Sequence, residues 1–497
     1  MGHNAKFLLL TVALFALAWP LFHPPLPHLT NSDLFTHLSV ARHLAAGEGF
    51  VTDIVYPLSL TFPFAAQIPQ PLIHRQPGYP LLMLFPTWLG RGEPHAVLGA
   101  VYIFEVLLLL LVAATGVRCA LKAGGEEIVP AWLLMLLLNP LLAIATIWGQ
   151  HEIAVALLVT IIWCRWRSEL VHPVPIPVSA GRAAGDGGLA AAVILLRLDL
   201  FWLPLLWWLT SRRRAQLRNI LLAILVWLLV VAPWAIRNMR LTGQPFFTLQ
   251  VYAEHLKETP TWPGYSIYRS LSPEEFRDSA SRDFGMILAK ARSGLRFFLT
   301  DLGRWLPWSF WILCALVGFN SWWRSGRHRL TWRSPPVLVL LSLILVMVQY
   351  MFFSHSLRHL VVILPVVTLE MGLWLQQQFK TITLQWPTYR RSLVLTGIVL
   401  ILHLVTPIRL PGWQQALRQA EIATGDLTAA LGKTGSLPPG PIFCDSAAVI
   451  WHSGRAGVWA PLNEEVKQQI EQILPEMEGA PTISIHPPEV SILPPEE

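Results

Sequence analysis

The residues best suited to chemistry are a few carboxylates and arginines that stand beside long apolar segments. Asp33 begins a stretch with helical spacing, and His74 and Arg75 precede the sequence Pro-Gly-Tyr-Pro at 77–80. A turn rich in proline and glycine is rigid, so it fixes the side chains beside it. The ordinary role of an arginine like Arg75 is to reach lipid headgroups from the interface, and that role seldom needs so stiff a frame.

A second group of polar residues stands at the ends of apolar runs. For the pair at 151–152, a helix cap in a short loop is an equally good interpretation. The group consists of His151, Glu152, Arg237, Arg358 and His359.

Together these residues suit group transfer from a phosphate-bearing lipid. Arginine binds phosphate through bidentate, charge-assisted hydrogen bonds, and a carboxylate beside it can take a proton from an acceptor hydroxyl. For Asp33, the ordinary alternative is a charge that stabilises the first turn of a helix. A cavity for such a lipid would be lined by Asp33, Arg75, Glu152, Arg237 and Arg358.

The composition indicates which solvent surrounds these residues. Of 497 residues, 54% are hydrophobic and 13% are charged, whereas an average soluble domain carries about 25% charged residues. This excludes a disordered, fibrous or disulfide-stabilised chain and predicts a polytopic α-helical membrane protein. The net charge of +7 is explained by basic residues that orient the spans, so no nucleic acid partner is expected. The four cysteines show no metal-binding spacing.

Apolar runs and basic clusters predict the topology. The first run, 7–22, is interpreted as an uncleaved span, with a cleaved signal peptide as the alternative. Basic clusters mark the cytoplasmic side, which places the N-terminus inside and loops 23–94 and 237–303 outside. About 11 transmembrane helices are expected. The further runs are 95–117, 129–147, 152–166, 189–209, 219–236, 304–320, 335–353, 359–376 and 393–409.

One apolar segment, 187–209, has basic clusters on both flanks but is long enough for a single span only. Arg197 and Asp199 lie at its middle, where two charges in lipid would cost several kcal/mol. We therefore expect a hairpin of two short helices with these charges at its tip, in a water-filled cavity.

Shorter elements are predicted on the outer side. Residues 33–46 are expected to form an amphipathic helix on the outer membrane face, and 78–90 a short helix that lies on the surface or re-enters the membrane. Behind the transmembrane domain 1–409, the polar segment 410–497 is expected to form a small extracytoplasmic α/β domain. Its predicted strands are 441–444, 457–460 and 482–485, and its predicted helices are 413–433 and 463–474.

The order and placement of these motifs resemble the GT-C superfamily of membrane glycosyltransferases. The likeness is to the bacterial branch that contains the protein mannosyltransferases and the aminoarabinose transferases of lipid A. It covers nearly the whole chain, although each motif is short. The stretches that carry it are 33–50, 74–80, Glu152, 197–199, 233–245, 358–365 and 453–461.

The resemblance implies an inverting transfer of a sugar from a polyprenyl-phosphate carrier to an acceptor at the outer face of the cytoplasmic membrane. Asp33 would be the general base, and Arg75 would contact the donor phosphate. Arg237 and Arg358 would be further phosphate contacts. Substrate contacts are implied for His74, Tyr79, Glu152, Arg197, Asp199 and His359.

The chain departs from the family pattern at three positions. Leu34 stands where many relatives have a second acid, Gln76 stands before the Pro-Gly pair, and His359 replaces a tyrosine. These departures leave the acceptor contacts and a metal role open. Some relatives bind a divalent metal ion near the first outer loop, and His74 and Glu152 would then be its ligands. No other cofactor is expected.

Two other functions fit a membrane chain. One is a flippase for lipid-linked sugars or another transporter, and the other is a non-catalytic envelope assembly protein. Transporters often show internal repeats and sites at the bilayer midplane, and the sequence shows no repeat. The transferase is therefore favoured, with a lipid, a glycan or a protein as acceptor and membrane lipids around the spans.

Overall fold

The computed structural model describes residues 32–137, 139–171, 178–210, 217–257, 259, 262, 266–271, 284–305, 315, 334–382, 385–405 and 426–484. The predicted span 7–22, the predicted boundary at 409/410 and nearly all of the run 304–320 lie outside these residues. The chain divides into two compact units. Unit 1 comprises 1–24, 102–234 and 291–414, and unit 2 comprises 25–101, 235–290 and 415–497.

Most of the described residues are helical, and six short strands complete the regular structure. The strands are β1 Val51–Thr52, β2 Ile54–Val55, β3 Gln70–Pro71, β4 Ile442–Cys444, β5 Gly457–Trp459 and β6 Thr482–Ile483. Up to residue 405 the described helices are α1 Ser32–Ala45, α2 Gly78–Leu89, α3 Pro94–Lys122, α4 Val129–Leu137, α5 Pro140–Ile147, α6 Glu152–Val171, α7 Ala180–Leu196, α8 Trp202–Thr210, α9 Leu217–Thr242, α10 Leu249–Leu256, α11 Phe284–Trp305, α12 Pro335–Phe352, α13 Leu364–Ile382 and α14 Thr388–Val405.

The last two helices, α15 Ala447–Ser453 and α16 Glu464–Ile473, alternate with the strands of the C-terminal segment. Residues 426–435 are also helical. Short 3-10 turns lie at Leu198–Leu200, Ser266–Arg269 and Leu357–Val362, among other places. The described residues up to 405 are thus mainly helical, apart from β1, β2 and β3, and helices alternate with strands in 426–484.

Of the described helices, three are long and apolar enough to cross a membrane, namely α3, α9 and α12, with mean hydropathies of 2.6, 2.4 and 2.1 over their most apolar 18 residues. A fourth span is obtained if α4 and α5 are counted together as one broken span. The two helices are bent by 57° at a short break. At this break the side chain of Asn139 accepts hydrogen bonds from the main-chain nitrogens of Leu141 and Leu142, at 3.0 and 3.3 Å. The predicted number of about 11 spans is thus not confirmed on the described residues, because several apolar segments are short or broken.

The predicted helix break at Arg197 is confirmed. Helix α7 ends at Leu196, Arg197 is extended with φ −152° and ψ 94°, and α8 begins at Trp202. Both α7 and α8 pack on α6. The placement of this break in the membrane stays a prediction.

A close helix crossing in unit 1 depends on Gly187 of α7. A Cβ atom added to Gly187 would lie 2.2 Å from the main-chain oxygen of Ala223 in α9. Only glycine lets the two backbones approach this closely, as is common where helices pack in membranes.

Helix α1 in unit 2 has the predicted position but a different environment. Residues 33–41 are all buried, and α1 packs on α2, on α15 and on β1. The expectation that it lies on the membrane surface as an amphipathic helix is therefore wrong. The polar residues in the pattern indicated an exposed face, but Thr36, His37 and Ser39 are buried inside the protein.

The C-terminal strands form a parallel sheet with the order β2-β5-β4-β6. The edge strand β2 comes from the first predicted outer loop, and Val55 pairs in register with Val458. One apolar cluster holds the sheet to the rest of unit 2, because it is shared by residues from both parts of the chain. It consists of Val55, Leu60, Phe443, Val458, Ile470, Leu474 and Met477.

Candidate functional site

An ion pair between Arg75 and Asp33 lies in unit 2, where Arg75 Nη2 donates a hydrogen bond to the Asp33 carboxylate. The two side chains are only 10% and 12% exposed. Asp33 is in the first turn of α1, where the helix dipole stabilises a carboxylate, and Arg75 precedes α2. Because α1 and α2 pack together, these two residues meet although 42 positions separate them in the sequence.

The main chain of the segment before Arg75 is held by the start of α10. Thr248 Oγ1 donates to the carbonyl of His74 at 3.2 Å, and Leu249 N donates to the carbonyl of Ile73 at 2.8 Å. The rigid turn predicted from the prolines is thus reinforced by hydrogen bonds from a distant part of the chain. This anchoring fixes where the side chains of His74 and Arg75 begin.

His74 is buried among aromatic rings. Its ring centroid lies 4.7 Å from that of Tyr56 and 5.3 Å from that of Tyr268. His74 Nε2 is 3.3 Å from the Tyr268 hydroxyl, and no described residue lies within hydrogen-bonding distance of Nδ1. Burial, followed by the positive charge of Arg75, holds the pKa of His74 well below its ordinary value. The imidazole is therefore neutral near pH 7.

Tyr79 packs against His37 of α1. It is 1% exposed, and its ring meets that of His37 edge to face at 5.0 Å. His37 lies one helical turn after Asp33 in α1, and Tyr79 lies in the first turn of α2, which follows Arg75. This contact therefore joins the starts of the two helices beside the ion pair. The geometry favours a supporting role for Tyr79, while its predicted contact with substrate stays a prediction. Asp33, His37, His74, Arg75, Tyr79 and Tyr268 are called the Asp33 cluster below.

Arg237 is engaged with the main chain. Its Nη1 donates to the carbonyl of Leu72 at 2.7 Å and to the side-chain oxygen of Asn238 at 2.9 Å, and its Nη2 donates to the carbonyl of Phe50 at 3.2 Å. These bonds join the end of α9 to the segments around β1 and β3. They favour a structural role for Arg237, and its predicted contact with donor phosphate stays untested.

A second polar cluster lies in unit 1, around the buried guanidinium of Arg197. It donates to Glu152 at 3.1 Å, to both carboxylate oxygens of Asp199 at 3.2 Å, and to His359 Nδ1 at 2.9 Å. It also donates to the hydroxyl of Tyr350, and that hydroxyl contacts Asp199. Together with Arg358 these residues are called the Arg197 cluster.

Glu152 is the most deeply buried member of the Arg197 cluster, with no exposed surface. Besides Arg197 it faces Arg358 Nε at 3.7 Å, His151 Nδ1 at 3.5 Å and His359 Nδ1 at 3.9 Å. The side chains of Asp199 and Arg358 are 38% and 23% exposed. Two carboxylates and two guanidiniums thus balance in formal charge, and the exposed edge presents one of each.

The structure therefore gathers the predicted residues into two clusters, one in each unit. The sequence did not reveal Tyr350, which lies in an apolar run, or Tyr268, which lies in a long loop, because neither tyrosine is part of a motif. Among the described residues, no three side chains of His, Cys, Asp or Glu are grouped so that they could hold a metal ion. The predicted ligands His74 and Glu152 belong to different units, and a metal role stays a prediction.

Solved structures with the same fold are known. The chain is similar to ArnT from Cupriavidus metallidurans bound to undecaprenyl phosphate, with 13% identity, 96% of this chain and 89% of that chain covered, and a TM-score of 0.53. It is also similar to the oligosaccharyltransferase AglB from Archaeoglobus fulgidus, in complex with an inhibitory peptide and a dolichol-phosphate, with 10% identity, 94% and 68% covered, and a TM-score of 0.57.

Both proteins belong to the GT-C superfamily, so the resemblance to GT-C enzymes is confirmed for the fold. No protein-family model matches the chain, and no curated protein sequence matches it. At these identities the likeness concerns the fold, and the apolar helices agree with a membrane protein.

Proposed function

We propose that this protein transfers a sugar from a polyprenyl-phosphate donor to an acceptor at the outer face of the cytoplasmic membrane. The observation that carries the proposal is the buried pair of Asp33 and Arg75 in a chain with the GT-C fold. Undecaprenyl phosphate in the ArnT structure and dolichol-phosphate in the AglB structure support a lipid phosphate as the ligand.

The chemistry is a single displacement with inversion. The Asp33 carboxylate takes the proton of an acceptor hydroxyl, and the oxygen attacks the anomeric carbon of the donor sugar. The bond from that carbon to the phosphate oxygen breaks, and the polyprenyl phosphate leaves with the electron pair. Arg75 stabilises the negative charge that develops on the phosphate, since a preorganised cation in a poorly hydrated site acts strongly on such charge.

The ion pair itself supplies a way to couple donor binding to base activation. A carboxylate held by a guanidinium is a weak base. A donor phosphate that takes hydrogen bonds from Arg75 competes with Asp33, so the carboxylate regains basicity when the donor is bound. Arg75 and Asp33 then act in the same step, one on the donor phosphate and the other on the acceptor hydroxyl. Before the donor binds, their ion pair is neutral in formal charge.

The test compares Asp33→Asn, Asp33→Glu and Arg75→Lys in transfer assays with purified protein and a panel of polyprenyl-phosphate sugars. Asp33→Asn keeps a hydrogen-bond acceptor for Arg75 but removes the base, so kcat should fall by about 10²–10⁴-fold. Asp33→Glu should retain part of the activity. Arg75→Lys keeps the charge but loses the bidentate geometry, so it should weaken donor binding. Full activity of Asp33→Asn would show that Asp33 is not the general base.

The residues of the Arg197 cluster enter this proposal as substrate contacts on the strength of the sequence resemblance. Arg358 is the member with both positive charge and surface exposure, which suits an anionic group of the donor. A divalent metal ion remains an open part of the proposal, and activity after dialysis against a chelator tests it.

A further inference from the structure

The hydrogen bond between Tyr268 and His74 adds a function that the sequence motifs do not contain, and it rests on the proposed function. Tyr268 lies in the 3-10 turn Ser266–Arg269, 194 residues from His74. Both side chains are buried, at 6% and 5% exposed. A hydroxyl and an imidazole that are buried together and share one hydrogen bond constrain each other's proton positions.

The proton of neutral His74 can reside on either ring nitrogen. A neutral imidazole carries one N–H, so one ring nitrogen donates and the other accepts. A phosphate ester with no acidic proton can only accept hydrogen bonds. For His74 to contact a phosphate at the neighbouring Arg75, Nδ1 must therefore carry the proton, and Nε2 must accept from the Tyr268 hydroxyl.

We infer that Tyr268 is a positioning residue that fixes this tautomer of His74, so that His74 Nδ1 donates to a phosphate oxygen of the ligand held at Arg75. No described residue lies within hydrogen-bonding distance of Nδ1, so in this tautomer Nδ1 offers a buried donor to the ligand. A buried donor without a partner is costly, and the bound phosphate removes that cost.

The C-terminal sheet places Tyr268. Its neighbour Arg269 donates from Nε to the carbonyl of Ala460 at 3.1 Å, and Leu462 N donates to the carbonyl of Arg269 at 2.9 Å. Ala460 directly follows β5. The polar C-terminal segment thereby gains a role in the site, because it holds the turn whose tyrosine orients His74.

The chain offers a matched control in Tyr56. This residue also contacts the rings of His74 and Tyr268, but its hydroxyl lies 3.3 Å from Thr36 Oγ1. Tyr268→Phe and Tyr56→Phe each remove one buried hydroxyl from the same aromatic group, and only the first removes the partner of His74 Nε2. Loss of packing would affect both variants alike.

The experiment measures equilibrium binding of undecaprenyl phosphate to the full-length protein in lipid nanodiscs. Tyr268→Phe should weaken binding by about 10-fold, the equivalent of roughly 1.4 kcal/mol, and Tyr56→Phe by less than about twofold. The unfolding temperatures of the two variants should agree. Equal binding by Tyr268→Phe and Tyr56→Phe would overturn the inference.

A double-mutant cycle shows whether Tyr268 acts through His74. The amide nitrogen of asparagine lies near the place of Nδ1 and can donate without help from Tyr268. Tyr268→Phe should therefore have no further effect on binding in a His74→Asn background, and an unchanged 10-fold loss there would also overturn the inference. Arg75→Ala serves as the test of the shared premise. If Arg75→Ala binds undecaprenyl phosphate as tightly as the unaltered protein, the proposed function fails. If Arg75→Ala loses binding, the proposed function stands, and the Tyr268→Phe result alone decides the inference about Tyr268.

Discussion

Arg197 donates a hydrogen bond to Nδ1 of His359 over 2.9 Å. Because a guanidinium has donors only, Nδ1 is the acceptor in this contact. The Tyr350 ring stacks on this imidazole with centroids 3.9 Å apart. Since the same guanidinium also contacts Glu152 and Asp199, one residue orders the whole cluster in unit 1.

Replacing Arg197 should therefore destabilise the protein strongly. Arg197→Met leaves the fully buried Glu152 without its nearest cation, and breaking a buried pair from one side costs about 3–5 kcal/mol. Thermal unfolding of the purified protein in nanodiscs measures the effect. The double variant Arg197→Met with Glu152→Gln removes the stranded charge and should unfold at a higher temperature than the single variant. If it does not, the charge of Glu152 is not what Arg197 offsets.

Arg237 should matter for stability. Its guanidinium donates to two main-chain carbonyls, those of Phe50 and Leu72, and Arg237→Met leaves these acceptors without their donor, at about 1–3 kcal/mol. A lower unfolding temperature is the expected result. The opposite pattern, an unchanged unfolding temperature with a raised KM for the donor, would support the phosphate contact that the sequence predicts.

The sequence predicted local elements well where one signal was strong. The strands near 442 and 457, the helix near 464 and the break at Arg197 all appear at or within a few residues of the predicted places. Each rests on short-range information, such as an apolar run bounded by turns or two charges inside an apolar segment. The sequence placed Asp33 and Arg75 in one cavity, and the structure joins them in an ion pair that the sequence did not predict.

Long-range packing could not be read from the same patterns. The burial of α1 depends on three partners that lie elsewhere in the chain, and its alternation of polar and apolar residues is equally compatible with a membrane surface. Likewise, β2 contains only Ile54 and Val55, too few residues to show a strand pattern. Tyr268 reaches His74 from a turn whose Arg269 is bound to the segment after β5, a contact that no local pattern contains.

The crossing of α7 and α9 gives a prediction with a neighbouring control. In Gly187→Ala the new methyl group would lie 2.2 Å from the oxygen of Ala223, so the helices must move apart, at about 1–3 kcal/mol. Gly188→Ala meets only Val226 Cγ1 at 3.9 Å, which is ordinary contact. Gly187→Ala should unfold at a clearly lower temperature than Gly188→Ala. Equal unfolding temperatures would show that the crossing is not tight.

Two histidines in unit 2 should give stability opposite dependences on pH. His43 lies 3.0 Å from the Asp53 carboxylate and also contacts Glu48, and the hydrogen bond to Asp53, followed by that to Glu48, raises the pKa of His43. His452 has its pKa lowered to about 4, mainly by burial and then by His95 and Arg42. Folding therefore favours the protonated form of His43 and disfavours the protonated form of His452.

The sign of each effect follows from which state binds the proton. For His43, the added stability is fully present below the ordinary histidine pKa of about 6.5 and is lost as pH rises through the higher folded-state pKa. For His452, protonation of the unfolded chain lowers stability as pH falls from about 6.5 toward 4.

Thermal unfolding of His43→Gln and His452→Gln from pH 5 to pH 9 tests both signs. Relative to the unaltered protein, His43→Gln should be least stable at low pH, with a deficit that shrinks toward pH 9, because the imidazolium between two carboxylates is what it lacks. His452→Gln should gain relative stability below about pH 6.5, because glutamine has no proton to bind in the unfolded state. A His43→Gln deficit that stays constant over this range would show that the contacts with Asp53 and Glu48 do not depend on the charge of the ring.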